Sequence, residues 1–152
     1  MKKLLLLIVA LFTVVIATGC GKNNTRFLVC TGNKRGNNMS AEGEYRYTFK
    51  NDKLSSLIFV ATFKDITVDD LDSVWDSFKA QFNEQNYPTE VIGYKRITKA
   101  DDKNHTFTVT LNIDFEKISK ETMQKFEIGE DLVNKTYDEV KKQAIEDSFT
   151  CK

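Results

Sequence analysis

The sequence predicts an α+β domain: an antiparallel sheet of about four to five strands packed by one long amphipathic helix, with C-terminal helices after it. Three observations lead there. Glu44–Lys50 and Thr106–Phe115 alternate apolar and polar residues with the period of two that marks a half-buried strand. Residues 67–85 change to helical spacing. Adjacent strands are joined by short turns, which suits antiparallel pairing and does not fit parallel winding, where each crossover takes a dozen residues or more.

Taken in order, Phe27–Cys30 reads as a short opening strand, and Gly32–Asn38, made of Gly, Asn, Lys and Arg, as a turn-rich loop. Tyr45, Tyr47 and Phe49 share one face of the next strand; Leu57, Phe59, Ala61 and Phe63 share one face of Leu54–Lys64. Asn51-Asp52 between these runs argues for a tight hairpin. Val68, Leu71, Val74, Trp75, Phe78 and Phe82 then form one helical stripe, with Thr67 as N-cap. Asp69, Asp70 and Asp72 crowd the first turn, where carboxylates suit the positive end of the helix dipole. This helix is expected from Thr67 to Gln85, ended by Tyr87-Pro88.

Val91–Thr98 is a further strand, in which Gly93 marks a bulge or a close approach. Lys99–Asn104 is a charged turn. Thr106–Phe115 sets Phe107, Val109, Leu111, Ile113 and Phe115 against Thr108, Thr110, Asn112 and Asp114. Ser119–Phe126 reads as a short helix. Thr136 with Glu139 is a capping box that opens a final helix through Asp147, with Tyr137, Val140 and Ala144 inward. Phe149 and Cys151 return the chain to the first strand.

The first twenty residues follow a different pattern. Lys2 and Lys3 precede Leu4–Ile16, apolar except for Thr13, which is the pattern of a secretory signal. The run is shorter than the roughly 20 residues a membrane-spanning helix needs. Ala17-Thr18-Gly19-Cys20 resembles the bacterial lipobox, in which small residues precede a cysteine that is diacylated and becomes the new N-terminus. The resemblance implies a signal peptide over 1–19, lipidation of Cys20, and a protein held at the extracytoplasmic face of the cell membrane. Two acyl chains anchor stably where one does not. Residues 20–26, polar and without periodicity, form the expected tether, and 27–152 the single domain.

Without residues 1–19, 133 of the 152 residues remain, enough for one domain. The chain has 22 basic and 22 acidic residues, and the signal removes two of the basic ones, so the mature charge is −2. That balance gives no basic footprint for nucleic acid and no polybasic membrane patch. With Cys20 assigned to lipid, Cys30 and Cys151 are an even pair in an exported chain, most simply a disulfide. Free thiols, or a metal site short of neighbouring ligands, are the alternatives. Closing so long a loop is worth about 4–5 kcal/mol by the chain-entropy argument.

A search for chemistry yields no catalytic, metal or cofactor residues. Asp65, Asp69, Asp70, Asp72 and Asp76 lack the tight Gly turn of a calcium loop and read as a solvated helix face. His105, the sole histidine, shows no orienting acid or nucleophile in sequence and reads as a loop residue. Trp75, Phe78 and Phe82 read as core rather than a ligand groove, as do Tyr45, Tyr47 and Tyr94. Phosphate loops, Gly-x-Ser-x-Gly and His-Glu-x-x-His are absent.

The lipobox, the early cysteine, the hairpin Tyr-Arg-Tyr-Thr-Phe-Lys-Asn-Asp-Lys-Leu and the strand Thr-Val-Thr-Leu-Asn-Ile-Asp together resemble the YehR-like small bacterial lipoproteins, a family of unknown function. The resemblance implies a compact α+β domain at the cell surface and brings no functional residue beyond the lipidated cysteine. The expected role is a binding or interaction module of the cell envelope. Its partner would be an envelope protein or a small ligand, met through the sheet face the helix leaves open or through Gly32–Asn38. A small extracytoplasmic enzyme or enzyme inhibitor is the alternative.

Overall fold

The computed structural model describes residues 24–36, 39–64, 75–77, 79–80 and 89–152. They form one seven-stranded sheet of β1 (Thr25–Arg35), β2 (Ser40–Lys50), β3 (Lys53–Lys64), β4 (Glu90–Val91), β5 (Tyr94–Asp101), β6 (Thr106–Asp114) and β7 (Thr150–Cys151). The order is β4-β5-β6-β3-β2-β1-β7, and every neighbouring pair is antiparallel. After β6 come α1 (Lys120–Lys125), a 3-10 turn (Glu130–Asn134) and α2 (Tyr137–Glu146).

The β2–β3 hairpin forms as its turn residues require. Asn51 and Asp52 both take positive φ, 51° and 61°, the left-handed pair that joins twisted strands through two residues. Just inside the turn the register shifts: Thr48 faces Ser56 while Phe49 faces Leu54. Ser55 is therefore a bulge residue, and it stays satisfied although buried because its hydroxyl donates to the Thr48 carbonyl at 3.0 Å. The β4–β5 turn is tight for another reason. Gly93 has φ +78°, and a Cβ there would lie 2.3 Å from the backbone nitrogen of Ile118, so only glycine fits.

One face of the sheet carries the core. Leu28, Tyr47, Leu57, Ile113 and Tyr94 lie on one rung across five strands, and Ile118, Met123, Val140 and Ala144 from the C-terminal segment close over them. At the other end Trp75, 3% exposed, packs on Phe107 and Val109. The helix boundaries match the residues that cap them. The Thr136 N–H donates to Glu139 at 2.8 Å, and the Glu139 N–H donates back to the Thr136 hydroxyl, the capping box read from the sequence. Both helices end with a left-handed residue, Glu127 after α1 and Ser148 after α2. Their last carbonyls are taken by Ile128 N–H to Met123 at 2.9 Å and Phe149 N–H to Ala144 at 2.8 Å.

The expected architecture is corrected here. In place of four to five strands under one long helix, there are seven strands holding 51% of the described residues, against 24% in small helices. What covers the core is the pair α1 and α2, of six and ten residues, with the 3-10 turn between them. Of the helix expected over Thr67–Gln85, residues 75–77 and 79–80 are helical and the rest lie outside the described residues. β4 and β7 have two residues each, too few to show periodicity. β1 begins at Thr25 and continues through Gly32–Arg35, read above as loop, because all eleven of its residues stay in register with β2.

Cys30 and Cys151 are joined by a disulfide, as the sequence leads one to expect. Val29 and Lys152 exchange two backbone hydrogen bonds, 3.1 and 2.9 Å, which leaves Cys30 and Cys151 as the adjoining non-hydrogen-bonded pair. Such pairs are where antiparallel strands approach most closely, and the Cα atoms are 4.1 Å apart.

Candidate functional site

Two concave regions stand out, one on each face of the sheet. On the face opposite the core no described residue is fully buried, and Ile58 (36%) and Ile97 (50%) are open to solvent. At its β1 end a trough of about 580 Å³ is lined by Thr31, Asn33, Glu42, Glu44, Arg46 and Thr62. It joins the two places favoured from sequence, the open face and the start of Gly32–Asn38. Its charges are largely satisfied: Arg46 pairs with Glu44, and Lys64 with Glu42 at 2.5 Å. These are exposed pairs, each worth little.

The second region is a cavity of about 290 Å³ on the core face, between β2, the 3-10 turn and the end of α2. Tyr45, Tyr47 and Phe149 supply aromatic walls, Leu132 and Val140 aliphatic ones, and Lys135, Gln143, Asp131 and Asp147 the polar rim. Strand alternation puts Tyr45 and Tyr47 side by side, their rings parallel within 7° and 5.9 Å apart. Tyr45 also stacks on Phe59 at 4.5 Å and meets the edge of Phe149 at 5.1 Å.

Phe149 is held there by backbone. The left-handed Ser148 turns the chain out of α2, and the Phe149 ring drops onto Gly32, where an added Cβ would be 2.7 Å from it. Gly32 faces Gly43 across the strands, so the two glycines form the notch the ring fills.

The electrostatics of this cavity are one-sided. Lys135 is engaged, 3.3 Å from Asp131 and 2.5 Å from the Gln143 side-chain oxygen. Asp147 is the C-cap of α2, at the negative end of the helix dipole, and has no ion-pair partner among the described residues. The Tyr45 and Tyr47 hydroxyls have no hydrogen-bond partner among those residues either; both reach solvent, and Asp147 itself is exposed. Tyr47 is pushed up to about 12, by burial first, then by Tyr45 and by the Asp147 carboxylate; Tyr45 is raised by burial and Asp147.

The other candidates fall elsewhere. Tyr94 is buried and stacked on Phe126 at 4.5 Å. Trp75 is core, its indole N–H donating to Asp102 at 2.6 Å, which also accepts from Lys79 at 2.8 Å. Asp76 is a solvent-side partner of Lys79 at 3.1 Å. His105, left-handed at φ 45°, sits edge-on to Trp75 at 5.5 Å; the neighbouring Asp102 is 71% exposed. Among the described residues no group of three His, Cys, Asp or Glu side chains gathers as a metal site. No helix among them is long and apolar enough to cross a membrane. Cys20 and the signal segment, Asp65, Asp69, Asp70, Asp72, Phe78 and Phe82 lie outside the described residues.

Sequence reasoning saw Tyr45 and Tyr47 as core and passed over Asp147. A signal was available: the last turn of a helix favours basic residues, and Glu146-Asp147 puts acids there.

The fold and this site define a class: an antiparallel-sheet domain, disulfide-closed between its first and last strands, with C-terminal helices over one face. No protein-family model matches the chain, and no curated protein matches it. Among solved structures it is similar to an NMR structure of a protein from Streptococcus pneumoniae TIGR4. The TM-score is 0.62 over 92% of each chain, at 15% sequence identity, a likeness of fold.

Proposed function

We propose that this chain is an extracytoplasmic lipoprotein of the YehR-like kind, held to the membrane by lipid on Cys20, whose domain binds a small ligand. The observation that carries the binding role is the cavity beside Tyr45 and Tyr47. Tyr45, Tyr47 and the exposed Asp147 line a preformed space there, and no described residue pairs with their side-chain polar groups. Small-molecule sites share this character, apolar walls with a few placed polar groups. The Cys30–Cys151 disulfide supports folding in an oxidising compartment outside the cytoplasm.

Two measurements test the reading. Metabolic labelling with a fatty acid should acylate the protein, and Cys20→Ser should abolish the label and release the protein from membranes; an unlabelled wild type refutes the anchor. A chemically diverse small-molecule library should contain compounds that raise the melting temperature of the wild type and not of Tyr47→Phe. A library with no such compound refutes the binding role.

A further inference from the structure

The two most exposed large hydrophobic side chains among the described residues are Ile92, 79% exposed, and Phe27, 68%. Single exposed hydrophobics are ordinary on a protein surface; the position of these two is what carries information. Phe27, Thr48, Ser56 and Asp114 lie on one rung across β1, β2, β3 and β6. The Asp114 N–H donates to the Gly93 carbonyl at 2.8 Å, which puts the β4–β5 turn at the same level. Ile92 occupies that turn beside the left-handed Gly93, where Gly, Asn, Asp or Ser is the usual residue. Both side chains therefore stand at one end of the sheet, separated by four strand spacings, about 19 Å.

That end also receives the chain from its N-terminus. Cys20 precedes Thr25, the first residue of β1, by five positions. Five residues span at most about 18 Å. A lipid on Cys20, the anchor proposed above on which this inference rests, would hold Thr25 within that distance of the bilayer surface. The opposite end, reached at Arg35, Lys64 and Asp101, lies about 33 Å further along β1 and has no such tie.

The charges at the tethered end are matched. Arg26 pairs with Asp52 at 3.6 Å, Lys50 with Glu116 at 2.7 Å, Lys95 with Glu90 at 3.1 Å and Lys117 with Asp114 at 2.7 Å. What this end offers a lipid surface is apolar contact, with the carbon stems of the lysines beside it.

We propose that the end of the sheet carrying Phe27 and Ile92 is the membrane-facing surface of the domain, its two hydrophobic side chains resting in the headgroup region of the bilayer that holds Cys20.

The test uses the full-length protein, acylated during bacterial expression and reconstituted into phosphatidylcholine vesicles with brominated acyl chains, which quench tryptophan on contact. Phe27→Trp and Ile92→Trp put reporters at the proposed contact, and Lys103→Trp puts one at the opposite end, with the buried Trp75 as constant background. All three replaced side chains are exposed, so melting temperatures in detergent should match the wild type. Brominated lipid should cause loss of the emission added at positions 27 and 92, and no loss of that added at 103. Without any reporter, amide exchange in the 91–93 turn should slow in vesicle-bound wild type relative to soluble, unacylated Cys20→Ser. Equal quenching at all three positions, or none at positions 27 and 92, would overturn the inference. So would a blue shift at those two positions that grows with protein concentration in detergent, which would assign them to contact between copies of this chain. Fatty-acid labelling keeps the two readings apart: an unlabelled protein refutes the anchor, and a labelled protein without quenching refutes only this orientation.

Discussion

Reduction of the Cys30–Cys151 disulfide should cost this domain much of its stability. The bridge joins residues 121 apart in sequence, so nearly the whole domain lies inside the loop it closes. Restricting an unfolded chain by a loop of that length is worth about 5 kcal/mol at 25 °C on the chain-entropy relation. That is comparable with the entire stability of many domains, about 5–15 kcal/mol. On the native side reduction leaves the two-residue β7 held to β1 by the two backbone bonds between Lys152 and Val29, so the sheet stays paired while the last stretch of chain loses its covalent restraint. The assay is urea unfolding with and without reductant, with Cys151→Ser as a variant in which the fully buried Cys30 is left in place. Oxidised protein should show a higher midpoint and a shallower denaturant dependence, because a cross-linked unfolded chain exposes less surface. Oxidised and reduced forms agreeing within about 1 kcal/mol would refute the reasoning, since the loop-closure contribution would then be missing.

Other perturbations follow from single positions. Gly93→Ala should lower stability by more than about 2 kcal/mol, read from the unfolding midpoint, because it adds left-handed strain to a Cβ 2.3 Å from the Ile118 nitrogen. Ser148→Gly should raise stability by about 0.5–1 kcal/mol, since Ser148 holds φ 70° at the exposed end of α2, where glycine is favoured. Tyr47 should ionise late in an ultraviolet titration, near pH 12 against an ordinary value of 10.0, and Tyr47→Phe should remove that step. The folded state keeps this proton after the unfolded chain has lost it. Its contribution is therefore complete below pH 10.0 and lost as pH rises towards about 12, which unfolding curves across that window will show.

The parts of the fold legible in the sequence are those whose cause is local. Tyr45, Tyr47 and Phe49 alternate because a strand alternates; Asn51-Asp52 turns because both residues tolerate left-handed backbone; Thr136 and Glu139 cap each other across one helical turn. The cysteine pair was legible because a signal-like N-terminus leads one to expect export, and an even pair of cysteines in an exported chain is most simply a disulfide. The illegible parts have distant causes. Gly32–Arg35 looks like a loop by composition, and it is strand because β2 offers a continuous partner and Phe149 needs the room a glycine leaves. An apolar stripe over residues 68–82 says that a helix there would bury one face, but not that α1 and α2 would be what closes over Leu28 and Tyr47. The cavity was invisible for the same reason, since Tyr45 and Asp147 meet only after the C-terminal segment has crossed back to β2.

One short stretch connects the disulfide to the cavity. From Asp147 to Cys151 the chain leaves α2, turns through the left-handed Ser148, seats Phe149 in the Gly32–Gly43 notch, and pairs Thr150 and Cys151 with β1. Each step constrains the next. The notch fixes the ring that walls the cavity, and the disulfide, two residues on, fixes the strand that keeps the ring in its notch. Asp147, at the other end of the stretch, is thereby held against Tyr45 and Tyr47, close enough for its charge to raise both phenols. The bridge thus does two things by one geometry: it limits the unfolded chain, and in the folded chain it keeps the cavity's aromatic wall and its carboxylate in fixed relation. Preorganisation of this kind reduces the ordering cost a ligand would otherwise meet on binding. The cavity's affinity should accordingly fall on reduction even under conditions where the domain remains folded.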